Sequence, residues 1–187
     1  ARLQAAARVC LELSPRAFKA LSDTVSPQGI AAAVRLPRTV LADLPAGPGV
    51  FLALHELRDP GNLGTMIRSA DAAAAAGVIA VDDCVDFFTP KVVRASAGSL
   101  FHVPLATGTG AEFPAWARAT DTALVAADPV APTALREALL PARCALLVGN
   151  EAHGLPEALL TASDLQVRIP MPGRAESLNA AVAAGIL

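Results

Sequence analysis

The chain has 187 residues, of which 53% are hydrophobic and 17% are charged, and its formal net charge at pH 7 is −2. This composition excludes disorder over most of the length, and the size fits one ordinary domain with a fragment of another. The slightly acidic balance argues against a generic, nonspecific nucleic-acid-binding protein, although a local basic patch is enough to contact phosphates.

The cysteines and the apolar runs favour a cytoplasmic protein. Cys10, Cys84 and Cys144 lie far apart and form no CxxC pair, so we expect reduced thiols and no metal site. The uncharged apolar run at residues 72–81 is too short to cross a bilayer, and residues 1–19 contain no signal-peptide core.

The first 48 residues differ in pattern from the rest. Two Ala-rich or amphipathic pieces, residues 5–13 and 16–22, precede the breaker-rich stretch LPAGPG at residues 44–49. We therefore predict that residues 1–48 are a linker and the remnant of an upstream module, and that residues 49–187 form a compact domain.

From residue 50 onward, apolar strand-like runs alternate with helical patterns. Apolar strands between helices are typical of a mostly parallel sheet with helices on both faces, so the predicted fold class is α/β. The last pattern runs to the final residue, so we expect the last helix to be truncated. The predicted strands are 50–56, 78–82, 101–104, 122–127, 144–148 and 166–169, and the predicted helices are 62–76, 89–99, 112–119, 133–139, 154–160 and 178–187.

The usual nucleotide-binding motifs are missing from the sequence. No GxGxxG follows the first strand, which argues against a dehydrogenase, and no GxxxxGK[ST] is present, which excludes a P-loop. Loops rich in Gly, Pro, Asn, Glu and Ser instead follow three apolar runs, and such loops at strand ends bind ligands in open α/β proteins.

Three segments carry a resemblance to a known family. HELRDPGNLGTMIRSADAAAAAG (55–77), ALLVGNEAHGLPEAL (145–159) and VRIPMPGRAESLNAAVAAGIL (167–187) resemble, in order, the three motifs of the SpoU-type, or TrmH-like, RNA ribose methyltransferases of the SPOUT superfamily. The resemblance implies S-adenosylmethionine as cofactor and methylation of a ribose 2′-hydroxyl in RNA, ribosomal RNA being favoured over transfer RNA. It also implies a carboxyl-terminal deep trefoil knot, a homodimer and an upstream RNA-binding module.

The first motif contains Asn62 and Arg68. From the residues alone, Asp59 or Asn62 caps a helix, and Arg68 is either a surface charge or has a buried or functional partner. The resemblance implies that both Asn62 and Arg68 are catalytic and that Arg68 acts at the target ribose and phosphate. A guanidinium can bind a phosphate bidentately and stabilise a developing alkoxide; whether Arg68 also accepts the proton stays open.

A short basic pattern follows in TPKVVRASAGS. Lys91 and Arg94 are three residues apart, on one face of a predicted helix. This pattern fits a solvated helix face and, given the resemblance, an RNA-phosphate face equally well.

The second and third motifs hold the remaining candidates. From the residues alone, Glu151 is an exposed carboxylate at a helix entry, and His153 is expected to be a loop histidine. The resemblance implies instead that Glu151 pairs with the arginine or orients RNA. Ser177 fits the N-cap of the last helix, a role that can coexist with one in the site. The resemblance places Glu151, Ser177 and Asn179 in the catalytic pocket, and it implies cofactor contacts for Gly149, Ile169, Met171, Leu178 and Ala127.

One alternative from a different class stays open at this point. A non-catalytic RNA- or cofactor-binding module on the same scaffold would bind its ligands without turnover.

Overall fold

The computed structural model describes residues 7–22, 24 and 26–187. The chain divides into two units, Ala1–Pro37 and Arg38–Leu187. In the first unit, helix α1 (Pro15–Leu21) follows Ser14, whose hydroxyl accepts the N–H of Ala17 at 3.3 Å. The helix contains most of the amphipathic piece at residues 16–22. Of the piece at residues 5–13, residues 5 and 6 lie outside the described residues, and residues 7–13 form no helix.

A parallel sheet of seven strands forms the centre of the second unit. Its strands are β1 (Gly49–His55), β2 (Gly77–Val81), β3 (Leu105–Gly108), β4 (Ala123–Ala127), β5 (Thr133–Ala134), β6 (Arg143–Val148) and β7 (Leu165–Arg168). Their order in the sheet is β3-β2-β1-β6-β4-β7-β5. The strands are short and largely buried, as expected where helices cover both faces.

Helices cover the sheet on both faces, which confirms the predicted α/β class. The helices are α2 (Pro60–Ala72), α3 (Pro90–Ala95), α4 (Glu112–Ala119), α5 (Glu157–Ala162) and α6 (Ala180–Ile186), with 3₁₀ turns at Leu41–Asp43, Ser99–Phe101 and Leu135–Glu137. On one face, α2, α3 and α6 contribute to a core that includes Leu52 and Leu54 of β1. On the other, α4 and α5 pack over Phe51 and Ala53 of the same strand. None of the described helices is long and apolar enough to cross a membrane.

Two predicted elements are wrong. Residues 101–104, predicted as a strand, mostly lie in a 3₁₀ turn and its exit, and the strand that pairs with β2 begins at Leu105. Residues 133–139, predicted as a helix, begin instead with β5, in which Thr133 pairs with Val167. In the second case, the backbone N–H and C=O groups of β7 are available for pairing with residues 133 and 134. A local helical pattern does not reveal such distant backbone hydrogen bonds.

The last segment returns from one half of the sheet to the other. Strand β7 is separated from β1 by β4 and β6, yet α6 packs against α2, the helix that follows β1. Ala180 and Ala181 are buried in the same core as Leu63 and Met66. Residues 169–179 therefore cross the carboxyl ends of β4 and β6.

Helices α2 and α3 approach closely at Gly64. A Cβ at this position would lie 2.4 Å from the Ala95 Cβ and 2.9 Å from both the Val92 carbonyl oxygen and the Ser96 nitrogen. Two of these three atoms are backbone, so they cannot move aside without shifting α3. The absence of a side chain at Gly64 thus sets the spacing between the two helices.

We expect Gly64→Ala to destabilise the fold by about 1–3 kcal/mol, because overpacking outweighs the helix-propensity gain of roughly 1 kcal/mol. The matched control is Gly185→Ala in α6, where the nearest atom to an added Cβ is the Ser69 Oγ at 4.0 Å. This control should be neutral or slightly stabilising. Urea denaturation measures both, and equal unfolding midpoints for the two variants would contradict the close packing.

Candidate active site

The residues expected to contact the cofactor gather at one edge of the sheet. Strands β6, β4 and β7 are adjacent and parallel, so their carboxyl ends meet at the same edge. Ala127 ends β4, Gly149 follows β6 and Ile169 follows β7. Loops at this edge, where the strand order changes direction, are the usual ligand sites of open α/β sheets.

A chain of side-chain hydrogen bonds joins the three sequence motifs beside that edge. The Asn179 Nδ2 donates to the Asn62 Oδ1 at 3.0 Å, and the Asn62 Nδ2 donates to the Glu151 Oε1 at 2.9 Å. These partners are 117 and 89 residues apart in sequence. The structure therefore brings together three of the five predicted catalytic residues, Asn62, Glu151 and Asn179.

The helix caps leave the Asn62 side chain available for this chain. Asp59, not Asn62, caps α2: its Oδ1 accepts the backbone N–H of Asn62 at 2.7 Å. That hydrogen bond stabilises the carboxylate and lowers the pKa of Asp59 below its usual value.

The prediction that Ser177 caps the last helix is wrong. Asn179 is the cap, and its Oδ1 accepts the N–H groups of Ala181 and Val182 at 2.9 and 3.3 Å. Ser177 lies exposed two residues earlier. An asparagine amide caps as well as a serine hydroxyl does, and its amide nitrogen remains free to donate to Asn62.

Arg68 does not join the hydrogen-bond chain. It lies six residues after Asn62 in α2, which places it about 9 Å further along the axis and about 120° around the helix. Its side chain is exposed and makes no ion pair or hydrogen bond with the part of the chain that the structure describes. Within one chain, the described residues show no ion pair between Arg68 and Glu151, and the hydrogen-bonded partner of Glu151 is Asn62.

The loop after β6 is held by Asn150, which the sequence analysis did not single out. Its Nδ2 donates to the Glu56 carbonyl at 2.9 Å, and its Oδ1 accepts the N–H of Ala152 at 2.8 Å. Its backbone also exchanges two hydrogen bonds with Gly154, at 3.1 and 2.9 Å. The signal that could have revealed it is an asparagine directly after a strand-ending glycine.

Gly149 is required by that loop. A Cβ on Gly149 would lie 2.3 Å from the carbonyl carbon of Gly154, which no real side chain could tolerate. The backbone of Gly154 therefore occupies the space that a side chain at residue 149 would need.

The remaining candidates lie around this centre. Met171 and Leu178 are half-buried on the segment that crosses the strand ends. Lys91 and Arg94 are exposed on α3, and the Lys91 Nζ lies 3.7 Å from the Asp59 Oδ2. His153 is exposed in the loop, and the described residues contain no group of His, Cys, Asp or Glu side chains that could hold a metal ion.

The chain is similar in sequence and in structure to several proteins that are named as rRNA methyltransferases. The 23S rRNA (guanosine(2553)-2′-O)-methyltransferase RlmP of Bacillus subtilis is 39% identical over 183 residues, covering 95% of this chain and 70% of that protein. A 23S rRNA (uridine(2479)-2′-O)-methyltransferase of Streptomyces viridochromogenes is 37% identical, covering 85% and 58%. The AdoMet-bound rRNA methyltransferase from Sinorhizobium meliloti matches with a TM-score of 0.77 at 40% identity, covering 80% and 58%.

The chain thus spans between 58% and 70% of the length of these relatives. The family model described as the SpoU rRNA Methylase family matches residues 49–187, which include the whole sheet and all three motifs. The chain therefore belongs to the SpoU rRNA methylase family.

Proposed function

We propose that this chain transfers a methyl group from S-adenosylmethionine to a ribose 2′-hydroxyl in RNA, with ribosomal RNA favoured over transfer RNA. The observation that carries the proposal is the hydrogen-bond chain from Asn179 through Asn62 to Glu151, beside the strand ends of Ala127 and Gly149. The relatives from Bacillus subtilis and Streptomyces viridochromogenes are named for this reaction on 23S rRNA.

The residues at the strand ends fit an adenosyl group. Ile169, Met171 and Leu178 are half-buried apolar side chains on the crossing segment. Apolar walls with a few polar backbone groups suit a flat heterocycle. When bound, the cofactor supplies an electrophilic methyl group on its sulfonium. Five residues would hold that methyl group in line with the 2′-oxygen: Ile169, Met171, Leu178, Gly149 and Ala127.

Catalysis by this chain consists mainly of alignment and charge stabilisation. Asn62 and Asn179 hold the Glu151 carboxylate in place, and Glu151 with Ser177 orients the ribose. Arg68 binds the neighbouring phosphate and stabilises the negative charge that develops on the 2′-oxygen as the hydroxyl proton passes to solvent.

The exposed position of Arg68 supports a homodimer in which Arg68 acts in the partner's site. Val182 and Ile186 of α6, the helix that packs against α2, are 51% and 49% exposed, an apolar face suited to a second copy. Lys91 and Arg94, exposed on α3, then contact RNA phosphates outside the site.

The carboxyl-terminal segment, in this proposal, forms a deep trefoil knot. The crossing of residues 169–179 over the ends of β4 and β6 supports it, because a knot requires the chain to return across its own sheet. Residues 1–48 are the linker and the remnant of an upstream RNA-binding module, and the protein acts in the cytoplasm.

Arg68→Ala should lower the kcat of methyl transfer by about 10²–10³, because the developing charge loses its main partner. The assay measures labelled methyl transferred to total RNA, and calorimetry should show unchanged cofactor affinity. Arg118→Ala, an exposed arginine on α4, is the control and should retain activity. Cofactor binding by the wild type without transfer to any RNA would instead support the non-catalytic binding module.

The shared site can be tested by mixing two inactive variants, Arg68→Ala and Asn179→Ala. Equal amounts of the two variants give about one half mixed dimers. If Arg68 serves the partner's site, each mixed dimer has one intact site and one doubly defective site. About one quarter of wild-type activity should then return. Sedimentation should show dimers for both variants. Failure of the mixed dimers to regain any activity would place Arg68 in the site of its own chain.

The hydrogen-bond chain can be tested by reversing its polarity. Asn62→Asp places two carboxylates within bonding distance and should lower the transfer rate by about ten- to a hundredfold. The double variant Asn62→Asp/Glu151→Gln restores a donor opposite an acceptor, and should recover part of that loss. The control is the single variant Glu151→Gln. If the rate loss of the double variant equals the product of the losses in the two single variants, Asn62 and Glu151 do not act together.

A further inference from the structure

An open cleft of about 460 Å³ lies beside the hydrogen-bond chain, between the loop after β1 and the loop after β6. Its volume falls in the range of small-ligand sites. The mechanism proposed above uses only Glu151 among its walls. The cleft is lined by Glu56, Arg58, Asn150, Glu151, Ala152 and His153.

The backbone of Glu56, which lines the cleft, has an uncommon conformation. Its φ is +49°, in the left-handed region that side-chain-bearing residues rarely adopt. Its N–H donates to the Val81 carbonyl at 3.1 Å, and its own carbonyl accepts from the Asn150 side chain at 2.9 Å. Backbone strain held in place by surrounding contacts is concentrated at functional sites.

The carboxylate of Glu56 is available to a ligand. The residue is half-buried, and its side chain makes no hydrogen bond or ion pair within residues 7–22, 24 and 26–187. Glu151, which lines the same cleft, has one oxygen bonded to Asn62. Two carboxylates in one cleft repel a phosphate and attract N–H donors, so the cleft suits a base rather than the RNA backbone.

Arg58 adds a second recognition element to the cleft. Its guanidinium donates to the Asp83 carboxylate at 2.6 Å while the side chain remains 57% exposed. The guanidinium plane remains accessible beside that ion pair, and bases stack on arginine planes in many RNA complexes.

Resting on the proposed methyl transfer, we propose that this cleft holds the base of the methylated nucleotide and that Glu56 selects guanine. A carboxylate offers two adjacent acceptors, and guanine alone presents two adjacent donors, N1–H and the 2-amino group, on its Watson–Crick edge. Uracil places carbonyl oxygens on both sides of its single N–H, which a carboxylate repels. Adenine and cytosine each pair one amino group with a ring-nitrogen lone pair, so they offer only one donor.

The test uses the full chain and total RNA from cells that lack this protein. Labelled methyl is transferred, the RNA is digested to nucleosides, and the labelled nucleoside is identified by chromatography. We expect all of the label in 2′-O-methylguanosine. Glu56→Gln should lower kcat/KM for RNA by about ten- to a hundredfold, with cofactor affinity unchanged, because one acceptor becomes a donor.

Glu56→Gly separates recognition from folding. Glycine adopts a positive φ without strain, so this variant should unfold at the same or a higher urea concentration, yet show at least the same loss in kcat/KM. Glu137→Gln, an exposed glutamate outside the cleft, is the control and should behave as the wild type. Label in another nucleoside, or wild-type kcat/KM in both Glu56 variants, would overturn the guanine assignment and leave methyl transfer intact. Absence of any label with the wild type would overturn the proposed function itself.

Discussion

The parallel pairing of β1 with β6 is the constraint on which the site depends. Leu54 is paired with Val148, so the chain leaves both strands at the same edge and at the same height. Two contacts of the centre described above follow from this register: the Asn150 amide reaches the Glu56 carbonyl, and Glu151 reaches Asn62. A slip of one residue would turn the buried side chains of β1 to the opposite faces, so burial on both sides of the strand fixes the register. The core therefore determines the site geometry without using any of the site's own residues.

The last helix and the site form together. Helix α6 has seven residues, too few to be stable alone in water, so it depends on its packing against α2 and on its cap. Asn179 provides that cap with its Oδ1 and bonds Asn62 with its Nδ2. One side chain thus couples the end of the crossing segment to the first motif. Loss of Asn179 would free the segment that carries Met171 and Leu178 as well as remove a partner of Asn62.

The sequence was informative where patterns are local. Apolar runs gave most strands within one or two residues, and Pro90 at the first turn of α3 and Glu112–Ala119 as α4 are confirmed. It was misleading where contacts between distant residues determine the structure. Strand β5 forms because it can pair with β7. Asn179, not Ser177, is the N-cap because α6 begins two residues later than its pattern suggests. The motif resemblance brought Asn62, Glu151 and Asn179 onto one list, but only the fold shows which of them are bonded. Glu56 could not be singled out, because neither its φ nor its lack of a partner leaves a trace in the sequence.

The distribution of charge reconciles an acidic chain with an RNA substrate. Carboxylates gather at the strand ends, where Glu56 and Glu151 line the cleft and Asp82 and Asp83 follow β2. Apart from Arg58, whose guanidinium is paired with Asp83, the basic side chains around the site lie outside the cleft. Arg68, Lys91 and Arg94 are on the exposed sides of α2 and α3. An RNA backbone is repelled from the first group and attracted to the second, so phosphates are directed to the helices while a base can enter the cleft. In the proposed function, the carboxylates at the strand ends lower the general affinity for RNA. They also orient the nucleotide, with its base in the cleft and its phosphates toward the helices, as in-line methyl transfer requires.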